Sequence, residues 1–108
     1  MLIQINSDNS TAVTEAAVEG MTAQLDIALA ARFEDRLTRV EVYFAEETAP
    51  HASERMIKCI IEARPRGQQP ITVSAHAGDV EAALRGATHK AITALDTHFG
   101  KTSDRKGH

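Results

Sequence analysis

The chain has 108 residues, of which 43% are hydrophobic and 25% are charged, and its formal net charge is −3. This length predicts one small domain with a single core, and no apolar run approaches the roughly 20 residues that a membrane-spanning helix needs. A single cysteine, Cys59, excludes an internal disulfide and is typical of a reducing cytosol. The N-terminal residues lack the features of a signal peptide. We therefore expect a cytoplasmic protein.

Charge is distributed unevenly along the chain. Residues 1–54 carry ten acidic and three basic side chains, a net of −7, whereas residues 55–108 carry five acidic and nine basic ones, a net of +4. A domain with one basic face would show this asymmetry, and its local field would attract a polyanion although the net charge is negative. A small domain that merely divides its charges unevenly would look the same, so charge alone leaves both interpretations open.

The first half of the chain predicts a strand, a helix and a second strand. Apolar residues alternate over 1–6, which predicts a strand, and helical spacing predicts a helix that is capped by Thr14 and fades near residues 31–33. Clean alternation predicts the second strand from Leu37 to Ala45. The segment 46–54, which contains Pro50, is expected to be an exposed loop.

The second half predicts two more strands and a final helix. The strands span 56–64 and 71–77, and the turn between them, over 65–69, contains Gly67. Asp79 is the expected cap of the last helix, and Gly100 is expected to end it, as a C-terminal glycine often does. The predicted domain therefore spans residues 1–100, and residues 101–108 form a short polar tail that we expect to be disordered.

The order β-α-β-β-β-α predicts an α+β fold. Because the last three strands form a meander, the economical packing is one four-stranded sheet with both helices on one face. Residues Ile57, Cys59 and Ile61 then face the helices, and Lys58 and Arg64 face away from them.

Residues suited to catalysis or metal binding are few and scattered. Cys59 falls on the apolar face of its strand, where a thiol is buried and inert. The five histidines form no His-x-x-x-His pair, and the chain has no Cys-x-x-Cys spacing, so neither common zinc signature is present. Glu46 and Glu47 are adjacent but are expected to lie in a solvated loop. We expect no catalytic residue, no metal and no cofactor.

Basic side chains in the second half of the chain are candidates for an RNA-binding surface. Lysine and arginine neutralise phosphates without reading the base sequence, and arginine also stacks on bases. Taken singly, each of these residues is explained as well by a solvated surface charge. The candidate RNA-binding residues are Lys58, Arg64, Arg66, His76, Arg85, His89, Lys90 and Lys101.

The stretch from residue 59 to residue 77 carries the most informative pattern. It contains E-A-R at 62–64, G-Q-Q-P at 67–70 and V-S-A-H-A at 73–77, and V-E-V-Y-F-A-E-E precedes it at 40–47. These motifs resemble those of the short ribosome hibernation-promoting factors, also called ribosome-associated inhibitor A or protein Y. The resemblance covers the chain as far as Gly100, although no single motif in it is as specific as a metal-ligand signature.

The resemblance implies a fold similar to double-stranded-RNA-binding domains and a non-enzymatic role in ribosome hibernation. Members of this family bind the small (30S) ribosomal subunit and its 16S rRNA in the mRNA/tRNA channel, which inhibits translation under stress and in stationary phase. The same resemblance implies no DNA or membrane partner, a monomer off the ribosome, and no C-terminal dimerisation domain of the kind found in long family members. Arg64, His76 and Lys90 match positions of the family's motifs, so the resemblance implies that these three residues contact the ribosome.

Two features of the sequence depart from the family pattern. Thr93 stands where a second basic residue is expected, and the first helix contains Glu19 and Asp26 but no lysine. Each lost phosphate contact lowers the affinity for RNA and flattens its salt dependence. A weaker or specialised paralogue is therefore also consistent with the sequence.

Two alternatives to ribosome binding stay open. The second-ranked one is a protein–protein interaction regulator on the same fold with lost or weak ribosome binding, whose contacts lie on the polar outer face of the sheet: Arg39, Glu41, Tyr43, Glu62 and Thr72. The last-ranked alternative is a small enzyme or metal protein that uses His76, His89 and Cys59.

Overall fold

A computed structural model describes residues 1–8, 13–47 and 56–107, with side chains as far as residue 100. In chain order the elements are β1 (Leu2–Ser7), α1 (Glu15–Phe33), β2 (Leu37–Glu47), β3 (Met56–Pro65), β4 (Ile71–Ala77) and α2 (Val80–Gly107). The predicted α+β class and the order β-α-β-β-β-α are confirmed. β2 extends two residues further than predicted, to Glu47, and the rest of the predicted loop, 48–54, lies outside the described residues.

The four strands form one sheet in the order β1-β2-β3-β4. β1 pairs with β2 in parallel, because α1 returns the chain to the end of the sheet at which β1 began. β2, β3 and β4 pair in antiparallel fashion, which is the predicted meander. The two edges of the sheet are therefore β1 and β4.

Helix α1 begins at the predicted cap. The backbone N–H of Ala17 donates to Oγ1 of Thr14 at 3.1 Å, and Thr14 has an extended backbone, with φ −75° and ψ 159°. This geometry satisfies one of the N–H groups that a helix start leaves without a partner. From this cap, α1 buries a stripe that consists of Met21, Leu25, Leu29 and Phe33.

The core lies between the sheet and both helices, which cover the same face of the sheet. Alternate residues of β2 and β3 are buried, as the sequence predicts. The largest fully buried side chains come from β2, β3 and both helices: Phe44, Leu25, Leu29, Leu37, Ile61, Leu95, Val40, Val42 and Cys59. Burying a leucine of this kind stabilises the fold by about 2 kcal/mol.

Helix α2 passes through Gly100, so the prediction that this glycine ends the helix is wrong. A glycine ends a helix by adopting a left-handed conformation, but Gly67 is the only described residue with a positive φ. Just before Gly100, the ring of Phe99 packs at 5.6 Å from that of Phe33 and holds this turn against α1. Residues 101–107, predicted as a disordered tail, continue the helix to Gly107; the domain boundary at residue 100 stays a prediction. No helix of the described residues is long and apolar enough to cross a membrane.

Candidate nucleic-acid interface

Lys58 and His76 lie side by side on the outer face of the sheet, the face turned away from the helices. They are directly opposed residues of β3 and β4. The carboxylate of Glu47, at the end of β2, contacts both: its Oε2 is 3.0 Å from Nε2 of His76, and its Oε1 is 3.5 Å from Nζ of Lys58. The hydrogen bond with His76, and secondarily the charge of Lys58, lowers the pKa of Glu47 below its ordinary value. The two predicted bases are thus brought together, and a carboxylate partly neutralises them.

Arg64 occupies the same face of β3 at the opposite end of the strand. It lies directly opposite Arg39 of β2, and like charges in that arrangement repel. Two glutamates offset the repulsion: Nη2 of Arg64 is 2.7 Å from Oε1 of Glu62, and Nη2 of Arg39 is 2.5 Å from Oε1 of Glu41. Glu41 and Glu62 are themselves directly opposed. A row of two arginines therefore lies beside a row of two glutamates.

Glu41 is the most buried charged residue of this face, with 8% of its surface exposed. The hydroxyl of Tyr43 donates to Oε2 of Glu41, and Arg39 contacts the other oxygen while donating to Oε1 of Gln4 at 2.5 Å. The hydrogen bond from Tyr43 lowers the pKa of Glu41, and the same bond raises the pKa of Tyr43. Alternation in the sequence places Glu41 on the outer face, but it does not reveal these partners.

Arg66 lies in the turn between β3 and β4. The N–H of Gln68 donates to the carbonyl of Pro65 at 3.2 Å, and Gly67 at the third position of the turn has φ 71°, a value that glycine adopts readily. The N–H of Arg66 donates to the carbonyl of Arg36 at 2.8 Å, which ties this turn to the link between α1 and β2. Arg66 is therefore at one end of the sheet, apart from Lys58 and His76.

The predicted bases of α2 point in two directions. Arg85 and His89 share one face, as their i,i+4 spacing predicts, and both line a cavity of about 400 Å³ between α1 and α2. Lys90 points to the edge of the sheet, where its Nζ donates to the carbonyl oxygen of Ser74 at 2.9 Å. The side chain of Lys101 lies outside the part that the structure describes.

The structure therefore does not gather the predicted bases on one surface. It places Lys58, His76 and Arg64 on the outer face of the sheet, Arg85 and His89 on one face of α2, and Arg66 and Lys90 apart from both groups. The bases differ in their neighbours: Lys58, Arg64 and His76 each contact a carboxylate, whereas Arg85 and Lys90 form no ion pair with any described residue. The positive charge that no described carboxylate compensates therefore lies on α2, at Arg85 and Lys90, and beside it at Arg36 and Arg66 of the two turns.

The thiol of Cys59 is fully buried, as predicted, and burial raises its pKa to about 12. Within the described ranges, no three histidine, cysteine, aspartate or glutamate side chains lie close enough together to hold a metal ion.

A four-stranded sheet with strand order β1-β2-β3-β4 and two helices on one face is the fold of the ribosomal subunit interface proteins and of protein Y. The structure is similar to that of a ribosomal subunit interface protein from Coxiella burnetii, with a TM-score of 0.72 and 16% sequence identity over 93% of this chain and 99% of that chain. It is also similar to the N-terminal domain of Thermus thermophilus Protein Y, with a TM-score of 0.64 and 17% identity over 91% of this chain and 99% of that chain. The resemblance predicted from the motifs is confirmed in the fold.

At the level of sequence, no protein-family model matches the chain, and no curated protein matches it.

Proposed function

We propose that this protein is a non-enzymatic, cytoplasmic translation inhibitor that binds the ribosome and keeps it idle under stress. The observation that carries the proposal is the extent of the structural match: 93% of this chain overlays 99% of a ribosomal subunit interface protein, so neither chain has a large part that the other lacks. The motifs at residues 40–47 and 59–77 support the proposal independently, because they depend on residue identities rather than on the fold.

The proposed partner is the small (30S) subunit, through 16S rRNA in the mRNA/tRNA channel. A domain with principal dimensions of 53 × 31 × 18 Å is thin enough to enter a groove walled by RNA. Structured RNA is recognised largely by its shape and its phosphates, so binding of this type requires no base-specific motif. Occupation of the channel would exclude mRNA and tRNA by volume alone.

The candidate contact residues are expected to contribute unequally. A base that already contacts a carboxylate must share or exchange that partner before it neutralises a phosphate, so its net gain is small. Lys58, Arg64 and His76 are in this position. Arg85 and Lys90 are exposed and without such a partner among the described residues, and each phosphate that they neutralise releases counterions. Arg66 of the β3–β4 turn is also exposed and contacts only the carbonyl oxygen of Asp35, so we assign the larger share of RNA affinity to α2 together with this arginine.

Co-sedimentation of the purified protein with 30S subunits across a salt series tests both the partner and the residues. The double reversal Arg85→Glu/Lys90→Glu is compared with a matched reversal on the outer sheet face, Lys58→Glu/Arg64→Glu, because each changes the net charge by the same amount. We expect binding that weakens with salt. For the α2 variant, the slope of log K against log salt should be smaller in magnitude by roughly 1.4–1.8, which corresponds to two lost phosphate contacts. Circular dichroism confirms that both variants are folded.

Two results would contradict the proposal. Absence of association at low salt would exclude the 30S subunit as the partner. Equal binding by both variants would exclude α2 as the main RNA-binding surface. The second candidate, a protein–protein regulator that uses the outer sheet face, is favoured by the pairing of Arg39 and Arg64 with glutamates, since such a face has little net charge to offer RNA. That regulator would bind its partner with little dependence on salt.

A further inference from the structure

Strand β1 is an open edge of the sheet. It pairs with β2 on one side, and no other strand of the described residues pairs with it. In a strand, alternate residues direct their N–H and C=O groups to opposite sides, so half of the backbone groups of Leu2–Ser7 have no strand partner. A strand of this length extends about 20 Å. Such an edge is a template for the addition of another extended chain.

An apolar groove runs beside this edge, between β1 and α1. It encloses about 400 Å³. Its floor and walls come from both elements: Met1, Ile3, Val18, Glu19, Thr22, Ala23 and Asp26. A strand that paired with β1 would direct every second side chain towards α1, and those side chains would enter the groove. The edge would supply backbone hydrogen-bond partners for an added strand, and the groove would bury its apolar side chains.

Two large apolar side chains of β1 and α1 are exposed. Ile27 of α1 is 74% exposed and lies one helical turn beyond Ala23 of the groove wall. Leu2 is 52% exposed and lies on the outer face of β1, away from the groove. A single exposed leucine or isoleucine is ordinary, but a strand added to the free edge of β1 would lie beside Leu2 on one face and would direct side chains towards α1 and Ile27 on the other.

The charge of the groove selects the chemistry of its occupant. Glu19 and Asp26 line it, and neither forms an ion pair with a described residue. Helix α1 contains no lysine, and its one arginine, Arg32, is 2.6 Å from Asp96 of α2. The field at the groove is therefore negative, which attracts cationic side chains and disfavours acidic ones.

We propose that β1 and α1 form a docking site for an extended, basic segment of a partner protein. The segment adds to β1 as a fifth strand, and the alternate side chains that face α1 include an apolar one between Ile3 and Val18 and lysine or arginine near Glu19 and Asp26. This surface is separate from the bases of α2, and the inference does not depend on ribosome binding.

Two synthetic hexapeptides, acetylated and amidated, probe the site in the absence of ribosomes. One is Lys-Thr-Val-Thr-Lys-Thr, whose lysines and valine lie on one face of a strand, and the other is Glu-Thr-Val-Thr-Glu-Thr. Each is titrated into the ¹⁵N-labelled protein. We expect the lysine peptide to shift the amide signals of residues 2–7 and 18–27 and the glutamate peptide to shift none of them. Equal binding of both peptides, or shifts elsewhere only, would overturn the proposal.

N-methylated versions of the lysine peptide separate strand addition from attraction between charges. Methylating the amides of the lysines and the valine removes one alternate set of N–H donors, and methylating the threonine amides removes the other. Because only one set faces β1 in an added strand, one version should lose binding and the other should keep it within about twofold. Equal behaviour of the two versions would exclude strand addition.

A pair of charge reversals in α1 tests the acidic wall of the groove. Asp26→Lys should weaken binding of the lysine peptide about tenfold, because an attraction becomes a repulsion. The matched control, Glu34→Lys, has the same change of net charge at the end of α1 and should bind as the unmodified protein does. Equal affinities of the two variants would contradict the assignment. Edge shifts that grow with protein concentration in the absence of peptide would identify a second copy of the chain as the occupant instead.

Discussion

His76 of β4 and Glu47 of β2 are linked across the strand that separates them, with 3.0 Å between Nε2 and Oε2. The intervening strand contributes Lys58, whose Nζ is 3.5 Å from the other oxygen of the same carboxylate. One acidic side chain therefore connects three neighbouring strands at one end of the sheet. It also reduces the positive charge that two of the candidate RNA contacts present to solvent.

The link predicts a pH-dependent contribution to stability. The hydrogen bond with His76 and the charge of Lys58 lower the pKa of Glu47 below its ordinary value of 4.5, so the ionised carboxylate stabilises the fold above about pH 4.5. That contribution is lost as the pH falls through the lower pKa of the folded state. Glu47→Gln should therefore lower the melting temperature at about pH 5.5, and the difference between the two proteins should decrease as the pH is lowered towards 3. Melting curves of both proteins over this range measure it.

The control for this prediction is Glu19→Gln. The Glu19 carboxylate forms no ion pair with a described residue, so the substitution should change the melting temperature little at either pH. A deficit of Glu47→Gln that stays constant down to pH 3 would show that the carboxylate charge is not its cause.

Gly100→Ala should stabilise the protein by about 0.5–1 kcal/mol, because Gly100 lies inside α2 and alanine is the better helix former. A Cβ at this position meets nothing within 4 Å. Gly67→Ala is the matched comparison: Gly67 has φ 71°, and alanine there should cost about 1 kcal/mol or more. Urea unfolding measures both free energies. Destabilisation by Gly100→Ala would show that this glycine ends the helix after all.

Gly86→Val should destabilise the protein by about 1–3 kcal/mol. A Cβ at Gly86 would lie only 3.3 Å from Cβ of Ala75, and the two further methyl groups of valine would force α2 away from β4. Gly20→Val in α1 is the control, because a Cβ there meets nothing within 4 Å, and its unfolding free energy should change by less than about 0.5 kcal/mol. Similar effects at both glycines would mean that helix propensity, not the close approach of α2, decides the result.

Cys59 should resist thiol reagents in the folded protein. Its side chain is fully buried, and burial raises its pKa to about 12, so almost no thiolate is present or accessible near pH 8. Reaction with a chromogenic disulfide should be at least about a hundredfold slower than in urea, since it requires opening of the core. The control is Thr72→Cys in a Cys59→Ala background, which should react at once because residue 72 is exposed. Fast reaction of the native Cys59 would contradict the buried assignment.

Much of the fold could be predicted because its signals are local. The alternation around Cys59 identifies the buried face of β3, Thr14 has the side chain that a helix cap requires, and Gly67 supplies the positive φ of its turn. The misplaced end of α2 at Gly100 shows the limit of local signals. A glycine permits a left-handed residue but does not require one, and Gly100 does not adopt that conformation.

The candidate site was less predictable than the fold. The sequence identified eight basic residues, and the cross-strand position of Lys58 opposite His76 depends on the register of β3 against β4, which the sequence alone does not specify. The carboxylate of Glu47 was missed for the same reason, since it is 29 residues from His76. Glu62 is only two residues from Arg64, and strand alternation places both on one face, so this pair could have been found from the sequence. The separation of Arg85 and His89 from Lys90 follows from the rotation of α2 over the sheet.

By itself the sequence determined the elements, their buried faces and the resemblance to protein Y, because strand and helix periodicity and short motifs are properties of neighbouring residues. Only the tertiary structure decided which charges meet. Strand register and helix placement are set by the packing of distant core residues such as Leu29, Val42 and Leu95, and they determine whether a base faces a carboxylate or solvent. The same packing leaves β1 as a free edge beside an acidic helix.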